Sequence, residues 1–120
     1  MYSDRVTTVQ KVISLIKPGA KIFLSSGPAV PAMFISEMIK SAGSNLLDLE
    51  LIQLITMADY LNVGQDNGHK YRLKTFSTGE SIIKRIESGE VDFIPANLME
   101  IPFIFSRGAQ RVDVAVVTMS

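Results

Sequence analysis

Lys21-Ile22-Phe23-Leu24-Ser25-Ser26-Gly27-Pro28-Ala29-Val30-Pro31 is the stretch whose reading decides the fold. Ile22, Phe23 and Leu24 form an unbroken apolar run, which suits a strand covered on both faces rather than a half-exposed one. Ser26 and Gly27 allow a sharp turn and the close approach of another group to the backbone. Pro31 suits the first turn of a helix, where its missing N–H costs nothing. The stretch therefore reads as buried strand, small-residue turn and helix start. Such a turn leaves backbone N–H groups open to an anionic or carbonyl ligand. The plain alternative is an ordinary strand-to-helix loop.

Working outward, residues 7–16 carry Val9, Val12, Ile13 and Ile16 on one helical face. Thr7 and Gln10 have the spacing of a capping box, and Lys17-Pro18-Gly19 stops the helix. A second helix is expected from Pro31 to Ser41, with Met33, Phe34, Met38 and Ile39 inward and Gly43 as its C′ residue. Residues 49–55 are apolar on both alternating sets and predict a central strand, with Thr56-Met57-Ala58-Asp59 just past its end. Residues 62–69 read as a polar loop.

Tyr71, Leu73 and Thr75 alternate with Arg72 and Lys74, which predicts a strand with one wet face, at an edge of the sheet. A helix over 80–88 follows, capped by Ser77 or Thr78, buried through Ile82, Ile83 and Ile86 and closed by Gly89. Residues 91–95 form a short strand, and Ala96-Asn97-Leu98 a loop. A helix from Glu100 to Arg107 is ended by Gly108, and Val112, Val114, Val116 and Val117 supply a last strand.

Helices alternating with buried strands predict an α/β fold, a mostly parallel, doubly wound, Rossmann-like sheet with helices on both faces. Ligands of such sheets bind beyond the C-terminal strand ends. Three loops fall there: Ser25–Val30, Thr56–Asp59 and Ala96–Asn97.

Composition narrows the function. The chain has 120 residues, enough for one domain, with 47% apolar and 20% charged residues. Twelve basic side chains balance 12 acidic ones, so the basic excess of a nucleic-acid binder is missing. No cysteine is present, which excludes disulfides, thiolate metal sites and a cysteine nucleophile, and the single His69 excludes a histidine metal cluster. No apolar run is long enough for a membrane helix. The N-terminus lacks an apolar signal region, and a cytoplasmic location is the expectation.

The common catalytic constellations are also missing. Neither Gly-x-Gly-x-x-Gly nor a phosphate-binding Gly-x-x-x-x-Gly-Lys-Ser/Thr occurs. His69 lies in a polar loop and reads as solvated. Lys70, Arg72 and Lys74 could attract phosphates, but edge protection is the simpler role. Glu100 at a helix start reads as a cap. Ser26 and Thr56 offer hydroxyls at strand ends without a partner base, so they suit binding rather than nucleophilic attack.

The stretch Ile16-Lys17-Pro18-Gly19, with Lys21 to Pro31 after it, resembles the opening of the acetyl-CoA hydrolase/transferase family of class I coenzyme A transferases. Leu49 to Thr56 is similar to that family's second strand. Val91-Asp92-Phe93-Ile94-Pro95, Glu100 to Phe105 and Val112 to Val117 resemble its later segments, in order. The resemblance covers nearly all of residues 1–120 and only the N-terminal part of a two-domain enzyme.

It implies exchange of coenzyme A between acetyl-CoA, or a similar thioester, and a small carboxylic acid or water. The route implied is a glutamyl-CoA thioester whose glutamate lies in the C-terminal domain. No catalytic residue is therefore assigned in this chain. Ser26, Gly27, Pro28, Ala29 and Thr56 are carried over as substrate-binding residues. Ser26 and Pro28 stand where members vary, which leaves the acid preference open. Acyl-CoA is expected as substrate, with no permanently bound cofactor and no metal.

The stop just after the last strand reads as a cut from a longer protein, and residues 1–120 alone are expected to show no turnover. The expected partners are the C-terminal domain, acyl-CoA and a small carboxylate, with no nucleic acid and no membrane. Met57, Phe103 and Phe105 are candidates for apolar surface that drives self-association. Two other functions fit the residues: a non-catalytic α/β small-molecule-binding or interaction module, and, by fold analogy alone, a nucleotide sensor.

Overall fold

A computed structural model describes residues 3–55 and 70–119. Five strands form one sheet: β1 Lys21–Leu24, β2 Leu49–Gln53, β3 Tyr71–Thr75, β4 Val91–Phe93 and β5 Val114–Val116. Their spatial order is β4-β3-β2-β1-β5, and every pairing is parallel. Among the described residues four α-helices accompany them: α1 Val9–Ser14, α2 Ala32–Lys40, α3 Glu80–Glu87 and α4 Ile101–Ser106. From β1 to β4 the chain advances one way across the sheet, then crosses back to lay β5 on the free side of β1. Asp113 pins that return, its backbone N–H donating to the Lys21 carbonyl at 2.8 Å and its carboxylate accepting from the Lys21 N–H at 2.9 Å.

Alternation along the strands builds two cores. Ile22, Leu24, Leu49, Leu51, Tyr71, Leu73 and Val91 face Ile13 of α1, Phe34, Ile35 and Met38 of α2, and Ile82 of α3. On the opposite face Ile52, Phe76 and Ile101 form a smaller core with Phe23, Leu54, Ile104 and Phe105, so α4 covers that side. Phe105 meets Phe23 edge-on at 5.8 Å between ring centroids and Phe76 at 5.9 Å. The doubly wound, parallel architecture expected from the sequence is present.

Local details differ from the expectations for physical reasons. α1 is capped by Thr8, whose hydroxyl accepts from the Lys11 N–H at 3.2 Å, and not by a Thr7–Gln10 box. In α2 the helix starts after Pro31, so Ile35 turns inward and Met33 stays 69% exposed. α2 ends without glycine: Lys70 Nζ donates to the carbonyls of Ile39 and Ser41 at 2.8 and 2.6 Å, which satisfies the helix end. Gly43 accordingly does not adopt a positive φ. Gly79 holds the N-cap of α3, and Ile83 lies on its solvent side.

β3 is interior, between β2 and β4. Its charges are met across the strands, Arg72 by Asp92 at 2.6 Å and Lys74 by Glu50 at 2.9 Å. Glu100 occupies the N-cap position of α4 as expected, but its side chain makes no capping bond; the carboxylate instead accepts the Asn97 N–H at 2.9 Å and closes the preceding turn.

Candidate functional site

The chain reverses direction between β1 and β5, and the loop after β1 lies at that switch point, where open parallel sheets receive ligands. Ser25 binds the neighbouring elements together. Its N–H donates to the Val116 carbonyl at 3.0 Å, its hydroxyl donates to the Ala29 carbonyl, and the same oxygen accepts the Thr118 N–H at 3.2 Å. Ser26 ties the loop to the other neighbour, its hydroxyl oxygen accepting the N–H groups of Leu54 and Ile55 at 3.0 and 3.2 Å. With two donors on that oxygen, the Ser26 hydroxyl proton has no acceptor among the described residues.

Gly27 has φ +61°, a left-handed conformation that favours glycine, and beyond its chain neighbours no atom of the described residues lies within 4 Å of where a Cβ would stand. Gly27–Ala29 form a single tight turn, with Ala29 N–H on the Ser26 carbonyl and Val30 N–H on the Gly27 carbonyl, both at 3.2 Å. The N–H groups of Ser26 and Gly27 have no acceptor among the described residues. Pro28 is exposed and Ala29 half-buried. Thr56 and Met57 lie outside the described residues.

Of the three loops expected at the strand ends, the structure does not bring Ala96–Asn97 to this point. Strand order puts β4 three positions from β1, roughly 14 Å at normal strand spacing. The Asn97 N–H is also already engaged by Glu100.

Charges are gathered at the other end of the strands. Glu50 accepts from Lys21 at 2.8 Å, from Lys74 at 2.9 Å and from the buried Gln110 amide at 3.0 Å. Burial on its own would raise the Glu50 pKa, but these donors outweigh it and hold the carboxyl below its ordinary 4.5. Lys21 and Ser25 are four residues apart along an extended strand, about 13 Å. The network therefore sits away from the loop.

Two apolar grooves flank the switch point. One of about 500 Å³ adjoins the loop and is lined by Val30, Pro31, Met33, Val116 and Thr118. The other, about 570 Å³, lies between α4 and the sheet against Phe23, Leu54, Phe105 and Ala115. Among the described residues the loop carries donors and small side chains but no base and no nucleophile. It can hold a carboxylate or polarise a carbonyl.

Sequence reasoning overlooked Gln53 and the bracing role of Ser25. Gln53 is 2% exposed at the end of β2, and its Nε2 donates to the Ser25 carbonyl at 3.3 Å. The available signal was an amide inside the otherwise apolar run Leu51–Ile55.

Comparison with known proteins places these features in a lineage. Residues 1–120 match the acetyl-CoA hydrolase/transferase N-terminal domain. A succinyl-CoA:acetate/propanoyl-CoA:succinate CoA transferase of Fasciola hepatica is 31% identical over 111 residues, 92% of this chain and 23% of that protein. A 4-hydroxybutyrate coenzyme A transferase of Clostridium kluyveri is 22% identical over 122 residues, 100% of this chain and 28% of that protein. The chain thus spans about a quarter of the length of these relatives. RipA from Yersinia pestis superposes over 97% of the chain with a TM-score of 0.70 at 16% identity, covering 29% of that chain. A RipA mutant gives 0.76 at the same identity, covering 28% of its chain. At that identity the RipA structures speak for the fold.

Proposed function

The chain belongs to the acetyl-CoA hydrolase/transferase family as its N-terminal domain, and from that membership we propose what a protein of its relatives' length does. It moves coenzyme A between an acyl-CoA, acetyl-CoA or a similar thioester, and a small carboxylic acid or water. Acyl-CoA enters as substrate and not as a resident cofactor. A glutamate outside these residues attacks the thioester and carries coenzyme A as a glutamyl thioester. The 120 residues supply one lip of the cleft, and a second domain of the same protein supplies the other. A cytoplasmic setting is part of this reading; no described helix is long and apolar enough to cross a membrane.

The end-to-end match of residues 1–120 to the family domain carries this reading. On the lip, the N–H groups of Ser26 and Gly27, without an acceptor among the described residues, are suited to a substrate carboxylate or to the oxygen of the reacting carbonyl. Pro28 and Ala29 shape the turn that presents them, and Thr56 is assigned to the same cleft by the resemblance. The test compares the 120-residue chain with the full reading frame that contains it, using acetyl-CoA with a panel of short carboxylates. Coenzyme A exchange or hydrolysis is expected from the longer protein alone. Turnover by the 120 residues would overturn the division of roles, and an inert longer protein would overturn the activity.

A further inference from the structure

Gln53 is almost completely buried, yet its side chain makes one hydrogen bond among the described residues, from Nε2 to the Ser25 carbonyl. Its Oε1 and second N–H have no partner there. A buried amide used at a fraction of its capacity costs free energy that an apolar side chain of the same shape would not. Leucine would also continue the pattern of Leu49 and Leu51 on the same face of β2. Packing therefore does not account for glutamine at this position, whereas its one bond has a specific consequence.

The Ser25 carbonyl and the Ser26 N–H belong to one peptide plane, and no peptide bond among the described residues is cis. In a trans peptide the two groups point in opposite directions. Anchoring the carbonyl to Gln53 thus fixes the Ser26 N–H away from Gln53. The next peptide is set the same way, because its Ser26 carbonyl accepts the Ala29 N–H and so orients the Gly27 N–H. These are the two N–H groups of the loop without an acceptor among the described residues. We propose that Gln53 is a positioning residue: through Ser25 it aims the Ser26 N–H at a small carboxylate or thioester carbonyl bound at the switch point. The inference rests on the reading of this loop as the carboxylate subsite.

Sodium acetate serves as the probe, followed by amide proton–nitrogen NMR of the 120-residue chain. Acetate is expected to move the Ser26 and Gly27 signals in a saturable way. Gln53→Leu removes the donor at similar volume and is expected to keep a dispersed spectrum while weakening acetate roughly tenfold. Gln53→Glu, whose ionised carboxylate cannot donate to Ser25, is expected to weaken it at least as much at neutral pH. Should Gln53→Leu not fold, Gln53→Met provides the same comparison.

Unchanged acetate affinity in a folded Gln53→Leu or Gln53→Met variant overturns the role of Gln53 and leaves the loop as the carboxylate subsite. Wild-type Ser26 and Gly27 signals that ignore acetate overturn the loop as subsite, and the role of Gln53 with it. Coenzyme A transfer by the longer protein is measured separately and survives either result.

Discussion

On the face covered by α1, α2 and α3 the strands contribute Ile22, Leu24, Leu49, Leu51 and Leu73, all at 1% exposure or less. On the other face the same three central strands contribute Lys21, Phe23, Glu50, Ile52, Arg72 and Lys74, and among the described residues α4, six residues long, is the helix that covers it. The first face is held chiefly by burial, with Lys70 tying the end of α2 and Gln53 reaching the Ser25 carbonyl. The second divides along the strands, into an aromatic cluster under α4 and an ion network around Glu50. A parallel sheet need not be equally apolar on both sides, provided that each charge on the poorer side is met by a neighbouring strand. The first face should therefore dominate stability, and the second should make it sensitive to pH.

Leu51→Ala tests the first half of that statement and has the largest expected effect. Leu51 has no exposure in the middle of the main core, so truncation should cost about 2–5 kcal/mol. Phe105→Ala on the second face removes a larger side chain that is only half-buried, and should cost about 1–2 kcal/mol. Urea unfolding of both variants measures the difference. Equal losses would mean that the two faces contribute alike.

Glu50→Gln is the next largest. It leaves Lys21 and Lys74 facing each other without their shared counter-charge, and should cost about 1–2 kcal/mol near neutrality, because both lysines keep some contact with water. Its pH dependence is more informative. Burial opposes the ionised form of Glu50, but the donors from Lys21, Lys74 and Gln110 prevail and lower its pKa. The Arg72 hydrogen bond lowers that of Asp92 against the opposing effect of burial.

A carboxyl whose pKa is lowered by folding stabilises the native state above its unfolded value. That contribution is lost as pH falls through the folded value. Wild type should lose stability below the ordinary Glu50 value of 4.5, and Glu50→Gln should show a shallower decline. Urea midpoints between about pH 7 and about pH 3 measure both. Parallel profiles would remove Glu50 from the account of acid sensitivity.

This contrast also explains what could be read in advance. Ile22-Phe23-Leu24 announced a central strand because burial on both sides leaves no other arrangement for three apolar residues in a row. Arg72 and Lys74 announced an edge that does not exist, because their partners Asp92 and Glu50 lie 20 and 24 residues away and meet them only once the sheet is assembled. Gly43 looked like the end of α2, but the end is made by Lys70, again through space. At the candidate site, the turn at Ser26 and Gly27 was legible from turn chemistry. Gln53 was not, since its relevance depends on which carbonyl it reaches across from β2 to β1.

Lys70 provides a smaller test on the apolar side. It is the side chain that closes α2 from the start of β3, and burial lowers its pKa. Lys70→Met keeps the aliphatic stem and deletes both bonds to the helix end. The expected loss is about 1 kcal/mol, read as a fall in Tm. No change would mean that water serves the Ile39 and Ser41 carbonyls as well as the ammonium does.

The smallest effect on stability is expected outside α4. Phe103 is 57% exposed, with Arg107 over its ring at 5.5 Å, and Leu98 and Met99 nearby in sequence are 78% and 85% exposed. Exposed apolar side chains contribute little to folding, so Phe103→Ser should alter stability by less than about 0.5 kcal/mol. Apolar side chains left in water favour association when they gather in one patch, and α4 is the one helix that shields the second face among the described residues. We propose that the 120-residue chain self-associates through this side of α4. Sedimentation velocity should show a concentration-dependent shift for wild type that Phe103→Ser reduces. A strictly monomeric wild type at high concentration would remove self-association from the account. A shift that Phe103→Ser leaves intact would move the contact to another surface and restrict the asymmetry of the two faces to their interiors.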